Sequence, residues 1–120
     1  MGGVVYYANY LRFIERARSD ALRELGVDQN SMREAGIVFV VTRVEADYLS
    51  PARYGDVIRV ETEVAEARRA SATLSQNVFR GAQALFRARV SFACMSLSGR
   101  PARFDEATRA ALAALSPSSA

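Results

Sequence analysis

The order of hydrophobic periods along the chain predicts an α+β domain in which a curved antiparallel sheet wraps around one long helix. Three observations carry that expectation. Apolar residues recur at Tyr10, Phe13, Ile14, Ala17, Ala21 and Leu25, the spacing of a helix with one buried face. Beyond Gly36 the period becomes strand-like and stays so through four segments, and from Phe104 to Leu115 an Ala-rich helical pattern returns. One helix cannot leave the strands after it unpacked, so the economical arrangement folds the sheet around it. At 120 residues, with no internal repeat or linker, residues 1–120 form a single domain.

The first helix is expected from Asn9 to Leu25, with Arg12, Arg16, Ser19 and Arg23 on its wet face. Ala17 and Ala21 lie near the middle of the buried stripe, and Gly26 reads as the stop. A short second helix follows, capped by Asp28, with Met32 and Ala35 turned inward, ending at Gly36. The first strand runs from Ile37 to Leu49, its continuous apolar stretch Ile37–Val41 giving way to alternation. That stretch is too continuous to face water on either side, so this strand is the expected pairing edge with a second copy. Residues 50–56 read as a loop. Val57 to Ala65 then alternates strictly, with Arg59, Glu61 and Glu63 on the wet side. Ala72 to Arg80 and Ala84 to Leu97 are the last two strands, joined by a turn at Gly81-Ala82-Gln83. The final helix begins at Asp105 or a neighbouring residue and closes at Ser116-Pro117.

Composition removes several classes of function. Half of the residues are hydrophobic and 24% charged, the balance of a globular domain rather than of a disordered chain. No apolar run approaches the ~18 residues of a membrane span, and no leader opens the chain, so a cytoplasmic protein is expected. The single cysteine, Cys94, lies in an apolar strand and reads as a small buried hydrophobe. With no histidine, Ser-His and Cys-His pairs and the usual zinc sites fall away, and neither metal nor cofactor is expected. The net charge of +3 comes from scattered arginines, which argues against nucleic acid and leaves anionic small ligands open.

Four motifs remain: the opening Gly2-Gly3-Val4-Val5-Tyr6-Tyr7-Ala8-Asn9-Tyr10, the run Glu15-Arg16-Ala17-Arg18, the loop Tyr48-Leu49-Ser50-Pro51-Ala52-Arg53-Tyr54-Gly55-Asp56, and the turn Arg68-Arg69. The first and third together are specific; either alone is an ordinary turn or loop. In combination they resemble the hotdog-fold acyl-CoA thioesterases of the 4-hydroxybenzoyl-CoA thioesterase-like family, in its Tol-Pal-associated branch. The resemblance implies an acyl-CoA thioesterase that works as a homo-oligomer, dimer or homotetramer, with the acyl site between subunits. It also admits an acyl carrier protein as partner.

In that family a carboxylate attacks the thioester or activates water, and a backbone N–H at the head of the long helix holds the oxyanion. A thiol leaving group, with a pKa near ~8.5, needs no general acid. The resemblance assigns the amide role to Tyr7, where many members of the branch carry His, and lines the substrate with Gly2, Gly3, Val4 and Tyr6. Arg68 and Arg69, with Arg100 and Arg103, match segments that contact the nucleotide of coenzyme A. Each alone reads rather as a solvated surface arginine, and only the two pairs in matching places bring the nucleotide role level with that reading. The family's catalytic Asp stands directly before the position of Met1, so the first strand and that Asp are expected to precede the recorded start. Without them the sheet exposes an unpaired edge, and the alternatives are a non-catalytic subunit binding acyl-CoA or acyl carrier protein, or a purely structural dimer. Glu15, on the edge of the buried stripe, is expected to be solvated or paired with Arg12 or Arg18. Asp47 and Asp56 read as turn or cap residues.

Overall fold

A computed structural model describes residues 7–53 and 55–117, with side chains from Tyr10 onward. The elements follow the expected order: α1 (Tyr7–Glu24), α2 (Gln29–Glu34), β1 (Ile37–Tyr48), β2 (Arg59–Ala67), β3 (Ser71–Arg80), β4 (Gln83–Ser96) and α3 (Glu106–Ala114). Among the described residues the strands form one antiparallel sheet in the order β1-β4-β3-β2, and α1 packs across its concave face: a hotdog fold.

Local chemistry fixes the boundaries. Gly26, at φ 98°, ends α1 by taking a conformation that side chains resist; its N–H reaches the Arg23 carbonyl, and that of Val27 reaches Leu22. Asp28 caps α2 by accepting from the Asn30 and Ser31 amides, and Asp105 caps α3 by accepting from Thr108. Strand β2 begins two residues later than its alternation suggested, because Asp56 still belongs to the loop. Its carboxylate accepts from the Arg53 amide at 2.7 Å and from Arg80 Nη1 at 2.6 Å, a partner 24 residues away.

The buried stripe of α1 is rotated from the expected one. Tyr10, Ile14 and Leu22 are buried, Phe13, Ala17 and Ala21 are half-buried, and Leu25 is exposed. Leu22 turns inward against Val27 and Met32. Ala35 is exposed rather than inward, since α2 is only six residues long and turns Met32 alone to the core. Among the described residues the core divides into clusters along the sheet. Tyr10 and Ile14 cover Val78, Phe86 and Val90 at one end; Phe104 and Leu112 of the α3 segment cover Leu74, Phe92 and Cys94 at the other.

Among the described residues strand β1 is an edge of the sheet, with an internal irregularity. Val41 stands opposite Phe92 and Arg43 opposite Ser91, so Thr42 is an extra residue, a β-bulge. The Gly36 carbonyl accepts from Leu97, and the Leu49 N–H donates to Leu85. Alternation from those two anchors turns the backbone groups of Ile37, Phe39, Val41, Val44, Ala46 and Tyr48 away from β4. These six are symmetric about the Thr42–Arg43 bond. Val41 and Val44, next to its centre, are 47% and 46% exposed. The opposite edge, β2, is met at Val64, whose N–H donates to the Leu115 carbonyl.

Candidate functional site

The head of α1 is seated by the 50–56 loop. Tyr10 donates its hydroxyl to the Ser50 carbonyl at 2.7 Å, stacks against Phe86 at 5.1 Å, and packs with the buried Ala52. The Ser-Pro-Ala motif is therefore the socket of the helix. The Asp56 carboxylate clamps the socket to the β3–β4 hairpin through Arg80, which also reaches Gln83 Oε1 at 2.8 Å. The Arg53 amide, then Arg80, hold that carboxyl below its ordinary pKa. Tyr7 is the first residue of α1, among the four positions whose N–H groups find no acceptor within a helix. Gly2, Gly3, Val4 and Tyr6 lie outside the described residues.

The four arginines gather at the far end of the same sheet. Arg68 follows β2 and donates its amide to Ser71; the Phe104 amide donates to the Arg69 carbonyl at 2.8 Å, bringing the Arg103 segment against that turn. Arg100 is tied back to Ser96 through its carbonyl and its amide. All four are exposed, and Arg68 pairs with Glu66 at 3.2 Å. From Phe86, under Tyr10, to Phe92, at the arginine end, β4 advances six residues, about 20 Å. Within one chain the fold thus joins the two arginine segments to each other and holds them apart from the helix head.

Among the described residues, cavities lie on both flanks of α1. One, of about 510 Å³, lies between α1 and β2 over Phe13, Ala17, Ala52, Ile58 and Val60. The other, of about 420 Å³, is lined by α1, α2, the edge strand β1 and β4. Its apolar floor is Leu22, Phe39, Val41 and Phe92, and its polar wall includes Glu15, Arg18, Ser19 and Arg33.

The polar group behind that second wall escaped the sequence reading. Gln76 is fully buried in the middle of β3, where it donates from Nε2 to the Ile14 carbonyl at 2.8 Å and to Thr62 Oγ1 at 3.2 Å. Its Oε1 accepts from Arg18 Nη1 at 2.8 Å. The signal was a lone amide among the inward positions Ala72, Leu74 and Val78. Burial pushes the Arg18 guanidinium below its ordinary pKa, and the neighbouring Glu15 charge opposes that. Among the described residues Glu15 makes no ion pair within 4.0 Å and is exposed, the solvated one of the two expected states, on the wall of this cavity. Cys94 is buried, and its thiol donates at 3.9 Å to the Arg103 carbonyl, as a structural cysteine would. No described helix is long and apolar enough to cross a membrane, and no described cluster of His, Cys, Asp or Glu could hold a metal ion.

Comparison with known proteins gives the site its context. Residues 2–86 match the profile of the thioesterase superfamily. The chain is 39% identical over 112 residues to a Haemophilus influenzae protein called acyl-CoA thioesterase YbgC, covering 92% of this chain and 82% of that one. It is 36% identical over 77 residues to the acyl-CoA thioester hydrolase YbgC of Escherichia coli, covering 64% of this chain but only 58% of the relative's length. Among solved structures, a 1,4-dihydroxy-2-naphthoyl-CoA thioesterase from Synechocystis superposes with a TM-score of 0.87 over 94% of this chain and 85% of its own, at 21% identity, which speaks to the fold alone.

Proposed function

The chain belongs to the thioesterase superfamily, and we propose that it hydrolyses acyl-CoA thioesters to the free acid and coenzyme A, as a homodimer whose two sites each draw on both chains. The observation that carries this reading is the separation of the α1 head from the arginines, together with the symmetry of the β1 edge. Antiparallel pairing of two β1 strands about the Thr42–Arg43 bond sets Ile37 of one chain opposite Tyr48 of the other, Phe39 opposite Ala46, and Val41 opposite Val44. Every outward backbone group then meets another outward group. The Tyr48 end of β1 lies under the α1 head, and the Ile37 end pairs with Ser96 beside Arg100. A twofold axis therefore brings the helix head of one chain to the arginine end of its partner.

In the mechanism we assign, the Tyr7 amide, reinforced by the α1 dipole, receives the developing oxyanion, while Gly2, Gly3, Val4 and Tyr6 line the thioester. Arg68, Arg69, Arg100 and Arg103 of the partner hold the phosphates of coenzyme A. In the family that the chain resembles, a carboxylate attacks the thioester or activates the water. The homotetramer that the resemblance implies would be a pair of such dimers, at work in the cytoplasm where coenzyme A thioesters occur. An acyl carrier protein is the competing presenter of the acyl group, and parallel assays with both carriers separate the two.

The test is hydrolysis of an acyl-CoA panel by the parent and by Tyr7→Pro. Proline is tolerated at a first helical position but removes the phenol along with the N–H, so Tyr7→Ala is the control, and kcat should fall by about 10²–10³ in Tyr7→Pro relative to Tyr7→Ala. A parent that binds a non-hydrolysable analogue yet turns over no member of the panel would establish the non-catalytic alternative. A Tyr7→Pro enzyme at full rate would remove the amide from the mechanism.

A further inference from the structure

We propose that the 420 Å³ cavity at the β1 edge is a carboxylate-binding site read by Arg18, and that it receives the far end of the acyl group, so that acyl-CoAs ending in a carboxylate are preferred. The second clause rests on the thioesterase reading; the first does not.

Arg18 is a guanidinium carried into the body of the fold. It is half-buried on the sheet side of α1, one turn from each of the buried Ile14 and Leu22. One of its five N–H donors is spent on the neutral Gln76 Oε1, and no described carboxylate comes within 4.0 Å. Charges removed from water are ordinarily paired, and a lone amide oxygen compensates only part of that cost. Gln76 does something else for Arg18: it holds the guanidinium still. Its own amide is locked by the Ile14 carbonyl and Thr62, so the fork is held toward the cavity without the loss of freedom a mobile arginine suffers on binding.

The rest of the cavity suits an amphipathic anion. Leu22, Phe39, Val41 and Phe92 offer an apolar floor for methylenes, and Arg33 on α2 adds a second positive charge on the wall. Glu15 at the mouth opposes an anion, leaving one net positive charge among the lining residues. A planar carboxylate matches the remaining Arg18 donors in a bidentate pair, whereas an alcohol or a bare alkyl end leaves them unmet. In the proposed dimer, β1 pairing would bring the partner's α1 head to the Ile37 end of β1, the strand whose Phe39 and Val41 line this cavity.

Octanoate and 1-octanol, titrated calorimetrically into the purified full chain, test the site without any hydrolysis. Octanoate should bind at one per chain and 1-octanol about tenfold or more weaker, as for a charge-assisted pair. Arg18→Met, which keeps an unbranched apolar stem, should weaken octanoate by a similar factor. Glu15→Gln, at an exposed position with no fold to lose, should tighten it, and Arg16→Met on the opposite face should leave it unchanged. Equal binding of octanoate and 1-octanol, no binding, or octanoate binding indifferent to Arg18→Met and Glu15→Gln would overturn the site. The kinetic arm compares suberyl-CoA with octanoyl-CoA: the ratio of their kcat/KM values should favour suberyl-CoA and fall in Arg18→Met. A ratio at or below one in the parent overturns the substrate preference. Octanoate binding that depends on Arg18, with no member of the acyl-CoA panel hydrolysed, would instead sustain the carboxylate site and reject the thioesterase reading.

Discussion

Replacing Val41 with aspartate is the sharpest way to break the proposed twofold. Val41 is 47% exposed in the single chain and Val44 46%, so pairing covers roughly half of each side chain. Burying a whole valine is worth about 1.5–3 kcal/mol, which makes the covered half worth roughly 1 kcal/mol. A carboxylate there forfeits that burial and must also shed water against the opposing Val44, a further cost of about 1–2 kcal/mol even when the rim stays partly wet. The twofold axis repeats every contact, so the penalty doubles to about 4–6 kcal/mol, a thousandfold or more in the dimer Kd. Light scattering on a sizing column, run over a wide range of concentration, reads this directly, and circular dichroism confirms that the monomer keeps its fold. Hydrolysis should disappear with the dimer. The reasoning fails if the parent is monomeric throughout, if Val41→Asp dimerises like the parent, or if Val57→Asp, at an exposed site outside the β1 edge, has the same effect.

Three further outcomes follow from the packing. Burial first, and the Asp105 charge second, push the Cys94 thiol above its ordinary pKa, so iodoacetamide at pH 8 should leave the native protein unlabelled and react once urea unfolds it; stoichiometric native labelling would contradict the assignment. The Asp56 carboxyl is held below its ordinary pKa, so its contribution is present above the unfolded carboxyl value and is lost as pH falls through the folded one. Asp56→Asn should therefore have a lower Tm than the parent at neutral pH, with the gap closing under acid; a gap of constant size would rule out the linkage. Gln76→Leu removes three hydrogen bonds, one to a charge, and offsets part of that loss with apolar burial. A net loss of about 1–3 kcal/mol in urea unfolding is expected, and a gain would contradict the role given to Gln76.

Element order and helix ends were legible because their causes are local. Asp28, Asp105, Gly26 and Gly36 act on neighbours within a few residues, and the alternation of β2 survives intact, with Arg59, Glu61 and Glu63 wet and Val64 buried. What was not legible depends on residues far apart in sequence. The start of β2 is set by Arg80, which holds Asp56 in the loop, and the rotation of α1 follows Leu22 under Val27 and Arg18 on Gln76, 58 positions away. The arginine pairs were read as parts of one site with Tyr7. Their meeting with each other is written in the β2–β3 turn and the Phe104 amide, while their distance from the helix head is a property of strand direction that no local motif encodes.

The bulge at Thr42 links these levels. Before it the concave-face residues of β1 are Ile37, Phe39 and Val41, at odd positions; after it they are Val44, Ala46 and Tyr48, at even ones. A strand without the extra residue would turn one of these sets to the convex face, because a one-residue slip exchanges the faces of a sheet. Phe39 could then not reach Phe92 while Tyr48 reached Phe86, contacts at 5.2 and 4.9 Å that tie the edge strand to both halves of the core. The apolar stretch that precedes the bulge is two-sided in the fold as well: Ile37, Phe39 and Val41 lie on the concave face, Val38 and Val40 on the other, and Val40 is exposed. The bulge also centres the symmetry of the edge, since the outward groups on either side of the Thr42–Arg43 bond are mirror-spaced. One inserted residue thus sets the internal packing of β1 and, in the proposed dimer, the register that carries a helix head to the arginines of its partner.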